Sequence, residues 1–298
     1  MKIYVFLSLF LFIPQFASAG LCKQWSQPEE IGSLPVDIID EASGLIATPD
    51  HLAHINDSGS DAQLHWTRHN GELVVTHDLA DEEYFDTEAL AKFSENGSHY
   101  LIVADVGDNA EKRGLIRKSI FTVFGKMFGK PPTALYIFKL TDWTPQSAPQ
   151  FIQKIELAYP DRPHNAESVA VHPKTGDIYL LTKESRFEKH GHIPSTLFRI
   201  AKGQWLSENT TPRPSSKKLT WQKVREVPLH EINRDRGDVG KLSTGMDISA
   251  DGESFVVLTY DNAIEFTAKS LLSHGDLLRG RDYNIIPTQD LSQEEAIH

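Results

Sequence analysis

The acidic residues of this chain recur in one setting and share one chemistry. Asp57, Asp86, Glu88, Asp105, Asp108 and Glu167, with the amide oxygens of Asn56, Asn109 and Asn165, lie at the polar ends of repeated apolar segments. Oxygens of this kind suit a hard divalent cation such as Ca²⁺, which takes about six to eight of them. Asp57, Asp86, Asp105, Asp108 and Asn109 are therefore the candidate ligands. In Asp105-Val-Gly-Asp-Asn109 the glycine permits a tight turn that brings Asp105, Asp108 and backbone carbonyls onto one ion. The same five residues also read as an Asx-type turn whose side chains bond their own backbone.

Carboxylates gathered this closely raise one another's pKa values and need compensation. Lys183, Arg113 and His164 are the basic residues placed to supply it. With a cation on the carboxylates instead, those three groups can hold an anionic substrate. That is the logic of metal-assisted ester hydrolysis, in which the ion polarises a phosphoryl oxygen and acidifies a water. Glu88, Glu167, Lys183 and Arg113 then take catalytic roles, and His164, Asn165, Lys183 and Tyr260 contact the substrate. Lys183 reads equally as a structural partner of Glu167. Two further constellations are weaker. Ser58 has Asp57 beside it and His51, His54 and His65 nearby, without the nucleophile-elbow motif. His190-Gly-His192 has metal-ligand spacing and no obvious third ligand.

The elements that must position these residues repeat. Asn165 to Glu184, NAESVAVHPKTGDIYLLTKE, reads as a β-hairpin with its polar groups at the open end. Relatives begin at Glu41, Asp86 and Ser243, and a fifth copy begins at Gln293 as QEEAIH. In an antiparallel hairpin the first residue of one strand and the last of the next share one end. Arranged around an axis, the copies gather their polar ends at one mouth. Four strand-like runs per repeat predict an all-β propeller with four-stranded antiparallel blades.

Blade one is expected over Ser43–Ala47, His51–Asn56, Gln63–Arg68 and Glu72–Leu79, with Asn70-Gly71 as a two-residue turn. Glu41 to Asp86 spans 45 residues, and the next two intervals span 79 each. One blade with long loops in each interval gives about five blades; a hidden degenerate blade in each gives six or more. The insertion Lys112 to Pro132 is a lid or an excursion, and Ser207 to Lys218 is a Pro/Ser/Lys-rich loop. A strand near Gln24 to Ile31 is placed to complete the last blade. Only QEEAIH remains for that blade, so it is expected to be truncated and the sequence to be a shortened version of a longer one.

Bulk properties narrow the class. The formal charge of −11 over 298 residues argues against nucleic acid or an anionic membrane surface as a partner and fits cations or neutral ligands better, so a small-molecule or anionic ester ligand rests on the basic groups of the mouth alone. Residues 1–19 have Lys2, a short apolar run and Ala17-Ser18-Ala19, as in a secretory signal peptide cleaved after Ala19. Residues 20–298 then form one exported propeller domain, periplasmic or secreted, with no membrane span. Cys22 is the single cysteine, so no disulfide can form within the chain.

The repeats resemble a group of secreted bacterial β-propeller proteins of the phytase-like or esterase-like kind. The residues that carry the likeness are Ala42-Ser43-Gly44-Leu45 with Asn56-Asp57-Ser58-Gly59, and Asp86-Thr87-Glu88-Ala89-Leu90 with Asp105-Val106-Gly107-Asp108-Asn109 and Arg113. They continue through Tyr159-Pro160-Asp161, Asn165-Ala166-Glu167, Thr182-Lys183, Thr244 to Ser249 and Gln293 to Ala296. The resemblance implies a propeller with a cation-dependent ester hydrolase site. A propeller that only binds a ligand or an envelope protein is the alternative.

Overall fold

The computed structural model describes residues 21–22, 25–57, 62–79, 84–108, 131–184, 187–188, 191–206, 215–236, 239–280 and 282–288. The expected signal peptide, most of the 112–132 insertion, Arg113, Asn109, Ser58, His190 and the copy at Gln293 lie outside them.

Strands β1 (Ala42–Ala47), β2 (His51–Asn56), β3 (Gln63–Arg68) and β4 (Leu73–Asp78) form an antiparallel sheet in chain order. Its outer turn is Asn70-Gly71, where Gly71 takes φ 87°, backbone space that only glycine enters without cost. The second blade is built from β5 (Thr87–Glu95), β6 (Ser98–Asp105), β7 (Thr133–Leu140) and β8 (Gln150–Ala158). Between β5 and β6, Asn96 and Gly97 take φ 50° and 73°, as a type I′ hairpin requires. The third blade comprises β9 (Ala166–Val171), β10 (Ile178–Thr182), β13 (Ser195–Ile200) and β15 (Gln222–Val227). Its chain also makes a small hairpin, β11 (Phe187–Glu188) with β12 (Gly191–His192), and a further strand, β14 (Ser215–Thr220). The fourth blade is β16 (Ser243–Ile248), β17 (Ser254–Thr259), β18 (Asn262–Thr267) and β19 (Tyr283–Pro287).

The protein is thus an all-β propeller, with four blades among the described residues rather than the expected five or six. Among the described residues neither 79-residue interval holds a second blade. Each holds one blade and long connections, and the 207–218 loop gives up part of its length to β14. That strand runs parallel to β8 and becomes a fifth, outermost strand of blade two, so the chain of blade three clasps its neighbour. The fourth blade carries a full set of four strands.

The core consists of three apolar layers, each between neighbouring blades. Ile46, Leu64, Trp66, Leu90, Leu101 and Tyr136 fill the first seam. Ala89, Phe93, Ile102, Val169, Phe198 and Trp205 fill the second, and Tyr179, Leu197, Met246, Phe255 and Phe266 the third. Side chains alternate across each strand, so a blade serves two seams, one with each face. Inner strand β1 packs on β5, β5 on β9 and β9 on β16; among the described residues β16 and β1 make no comparable packing. The expected completing strand near Gln24–Ile31 does not form: residues 25–31 have no regular structure and run past blade four. Among the described residues no helix is long and apolar enough to cross a membrane.

Candidate functional site

One irregularity recurs at the start of every inner strand. Pairing runs Ala42 to Asn56 and then Gly44 to Ile55, passing over Ser43. In the same way it passes over Glu88 in β5, Glu167 in β9 and Thr244 in β16. Each is a β-bulge, which places two residues opposite one and re-aims the extra side chain. Ser43, Glu88, Glu167 and Thr244 are therefore equivalent positions, all nearly buried, with Glu88 only 3% exposed. The residue after each bulge is small because the inner strands approach closely there: a Cβ on Gly44 would lie 2.6 Å from the Leu90 nitrogen.

Hydrogen bonds stitch the seams at this end. Between blades one and two, Thr87 Oγ1 donates to the Asn56 carbonyl (3.0 Å), and Ser43 Oγ lies 2.9 Å from the Glu88 carbonyl and 3.1 Å from Glu88 Oε2. Between two and three, Asp108 N–H donates to Asn165 Oδ1 (2.6 Å). Between three and four, Ser243 Oγ donates to the Thr182 carbonyl (3.1 Å), and Lys183 Nζ bridges Glu167 Oε1 and the Tyr260 hydroxyl, the latter at 2.7 Å. All four blades thus bring polar strand ends to one mouth.

Within it, carboxylate oxygens of Asp57, Asp86 and Glu88 lie within 4.8 Å of one another. Asp57 sits at the end of β2, its N–H on the Glu41 carbonyl (2.8 Å); Asp86 and Glu88 flank the start of β5. Gly107 packs directly on this pair. A Cβ there would come within 2.7 Å of Asp86 Oδ2 and would also collide with Glu88 Oε1. Burial, and then the charges of Glu167, Asp57 and Asp86, push the Glu88 carboxyl up to about 10 against the opposing pull of Lys183. For Lys183, burial works against the charge, but the Glu167 carboxylate and Tyr260 hydroxyl outweigh it and raise its pKa.

The remaining expected site residues take other positions. Asp105 is 1% exposed and accepts the N–H groups of Asp86 (2.9 Å) and Phe85 (3.1 Å), which belong to the segment leading into β5 and not to its own turn. The Asn165 amide oxygen is occupied by the Asp108 N–H. His164, 2% exposed, lies between Glu184 Oε1 (2.8 Å) and Asp161 Oδ1 (3.0 Å), and Arg162 Nη2 donates to the same Glu184 oxygen (2.9 Å). Burial opposes the Glu184 charge, yet His164 and Arg162 hold that carboxyl below its usual range. This cluster ties 164–165 to 183–184 beside the Lys183 N–H to Asn165 carbonyl bond (2.9 Å). Its histidine faces structural partners and is placed to position Asn165 and Lys183. His54 and His65 hydrogen-bond Thr67 and Thr76 within blade one, each at 3.0 Å. His192 Nδ1 accepts from Lys241 Nζ (2.8 Å).

Sequence reasoning missed Ser43 as a member of the mouth. The available signal was a four-residue pattern of small, polar, small and apolar: ASGL, TEAL, AESV and STGM.

No protein-family model matches the chain, and no curated protein does. Among solved structures it is similar to an auxiliary nutrient binding protein from Bacteroides thetaiotaomicron, with 10% identity and a TM-score of 0.35. The match covers 78% of this chain and 40% of that one, so the chain spans less than half the length of that protein. The reading of this site rests on its own geometry.

Proposed function

We propose that the mouth holds a divalent cation between Asp57, Asp86 and Glu88 and, through it, an anionic ester. Hydrolysis of that ester, phosphoric or carboxylic, is the reaction the residues suit. The observation carrying this reading is the convergence of three carboxylates from two blades in a partly buried place, with Lys183, whose charge acts on Glu88, committed to Glu167 and Tyr260. The donor set is all carboxylate oxygen, which favours Ca²⁺ or Mg²⁺ over metals that prefer imidazole or thiolate.

When bound, such a cation would neutralise the carboxylates and polarise an ester oxygen. The chain's own part is positional. Gly107 leaves room for the Asp86 and Glu88 carboxylates to approach each other, and Asp105 fixes the backbone that presents Asp86. Lys183 has three N–H groups; with two directed to Glu167 and Tyr260, one remains to meet an anion. Export with cleavage after Ala19, action in the periplasm or outside the cell, and kinship with phytase-like or esterase-like propellers belong to the same reading. The second reading is a non-catalytic binding propeller. It is favoured by the placement of His164 and Asp105, both expected in chemistry: His164 is held between the carboxylates of Glu184 and Asp161, and Asp105 holds backbone N–H groups.

Thermal melts in Ca²⁺ and in EDTA, with a phosphomonoester and a carboxyl-ester assay on the same sample, separate the readings. A Ca²⁺-dependent rise in Tm with turnover supports the hydrolase. A rise without turnover leaves the binding propeller, and no rise removes the cation.

A further inference from the structure

The two ends of the blade series are joined by something other than a strand. At blade four, Glu265 of β18 is 2% exposed, and both its oxygens accept the Cys22 N–H, at 3.2 and 3.1 Å. The indole N–H of Trp25 reaches the same carboxylate (3.3 Å), and Asn284 of β19 donates to it (3.1 Å) and to the Cys22 carbonyl (2.6 Å). At blade one, Gly32 and Ser33 press on the outer turn Asn70-Gly71. A Cβ on Gly32 would run into the Asn70 backbone, and one on Gly71 into the Ser33 carbonyl. The chain then turns, with the N–H groups of Ile38 and Ile39 on the Pro35 carbonyl (2.9 Å each), and buries Ile39.

From Ile38 onward the chain enters the mouth. The Ile38 carbonyl accepts Asn56 Nδ2 (2.9 Å), and the Glu41 carbonyl accepts the Asp57 N–H. On its other side the Asn56 carbonyl holds Thr87, which lies between Asp86 and Glu88. We propose that residues 25–38 are a strap that ties blade four to blade one and, through Ile38 and Glu41, sets the position of the Asn56–Asp57 corner of the mouth. Docking of the strap on Glu265 is thereby coupled to how well Asp57 meets Asp86 and Glu88. Only the effect of that coupling on ion binding rests on the cation reading above.

The test perturbs each end of the strap separately. Trp25→Phe removes one hydrogen bond from a side chain that is 39% exposed, so the blade beneath is left intact. Gly32→Val displaces the strap from Asn70 without touching blade four. Cleavage by a glutamate-specific protease at Glu29 or Glu30 reports release, and hydrogen–deuterium exchange in EDTA reports the mouth. The strap reading expects faster cleavage in both variants. It also expects exchange of residues 52–57 to accelerate about tenfold, as for the loss of one net hydrogen bond, with β9 and β10 unchanged. Unaltered cleavage in both variants overturns the strap; faster cleavage with unaltered exchange at 52–57 overturns the coupling. A Ca²⁺ melt on the same samples judges the cation reading by itself, because the exchange result stands whether or not the wild type binds the ion.

Discussion

Replacing Glu88 with glutamine should stabilise the protein in the absence of cation. Glu88 is a bulge residue pushed up to about 10 from an ordinary value of 4.5, first by burial and then by Glu167, Asp57 and Asp86. The folded state binds this proton more tightly than the unfolded chain. Its contribution to stability is complete below about pH 4.5 and is lost progressively as pH rises toward 10. At pH 7 the loss covers the interval from 4.5 to 7, which corresponds to about 3 kcal/mol. Glutamine is close in shape to the protonated acid and cannot ionise, so Glu88→Gln recovers up to about 3 kcal/mol at pH 7, or roughly 5–10 °C in Tm. The gain should vanish at pH 4.5, and in excess Ca²⁺ the order should reverse, because the variant lacks one of three carboxylates. Melts of both proteins at pH 4.5 and 7, in EDTA and in Ca²⁺, give all the comparisons. A variant destabilised equally at both pH values in EDTA would show that Glu88 is an ionised structural partner, and the electrostatic account of the mouth would fail.

Three other outcomes rest on individual contacts. Asp105→Ala leaves the N–H groups of Phe85 and Asp86 without their acceptor and should cost about 2–4 kcal/mol with or without Ca²⁺, whereas Asp57→Asn should change Tm mainly in Ca²⁺; paired melts check both. Gly107→Ala drives a methyl group into the Asp86 and Glu88 carboxylates and should cost about 1–3 kcal/mol while weakening any Ca²⁺ shift, measured by denaturant unfolding and titration. Burial pushes the Asp247 carboxyl up to about 6, against a backbone hydrogen bond from Ile248 and the charge of Lys92. Asp247→Asn should therefore raise stability above pH 6 and change little below pH 4, as a pH series of melts would show.

Much of the propeller was legible in the sequence, for a physical reason. Half-buried antiparallel strands alternate in polarity and end at turns that need Gly or Asn, so β2 and β3 fall where the pattern put them. Strand β14 was not legible. SSKKLT is a charged outer strand paired with β8, and nothing in its polarity marks it. The count of five included the copy at Gln293, which lies outside the described residues, and the count of six placed a degenerate blade in intervals that the loops and the β14 clasp occupy. At the mouth, the sequence showed which carboxylates reach one end of the blades. It did not show which of them their own backbone would claim: Asp105 is held by two N–H groups, while Asp57, Asp86 and Glu88 converge. The bulges that make the difference are register shifts between strands, and polarity along one strand does not reveal them.

The central claim is that the polar strand ends of blades one and two gather Asp57, Asp86 and Glu88 into a single cation site. An anomalous difference map from crystals grown in Mn²⁺, a hard cation that stands in for Ca²⁺, tests it most directly. The account predicts one peak bounded by Asp57, Asp86 and Glu88, lost in the Asp57→Asn variant. A peak at Asp105 and Asp108 instead, or none at the mouth at saturating Mn²⁺, would contradict it.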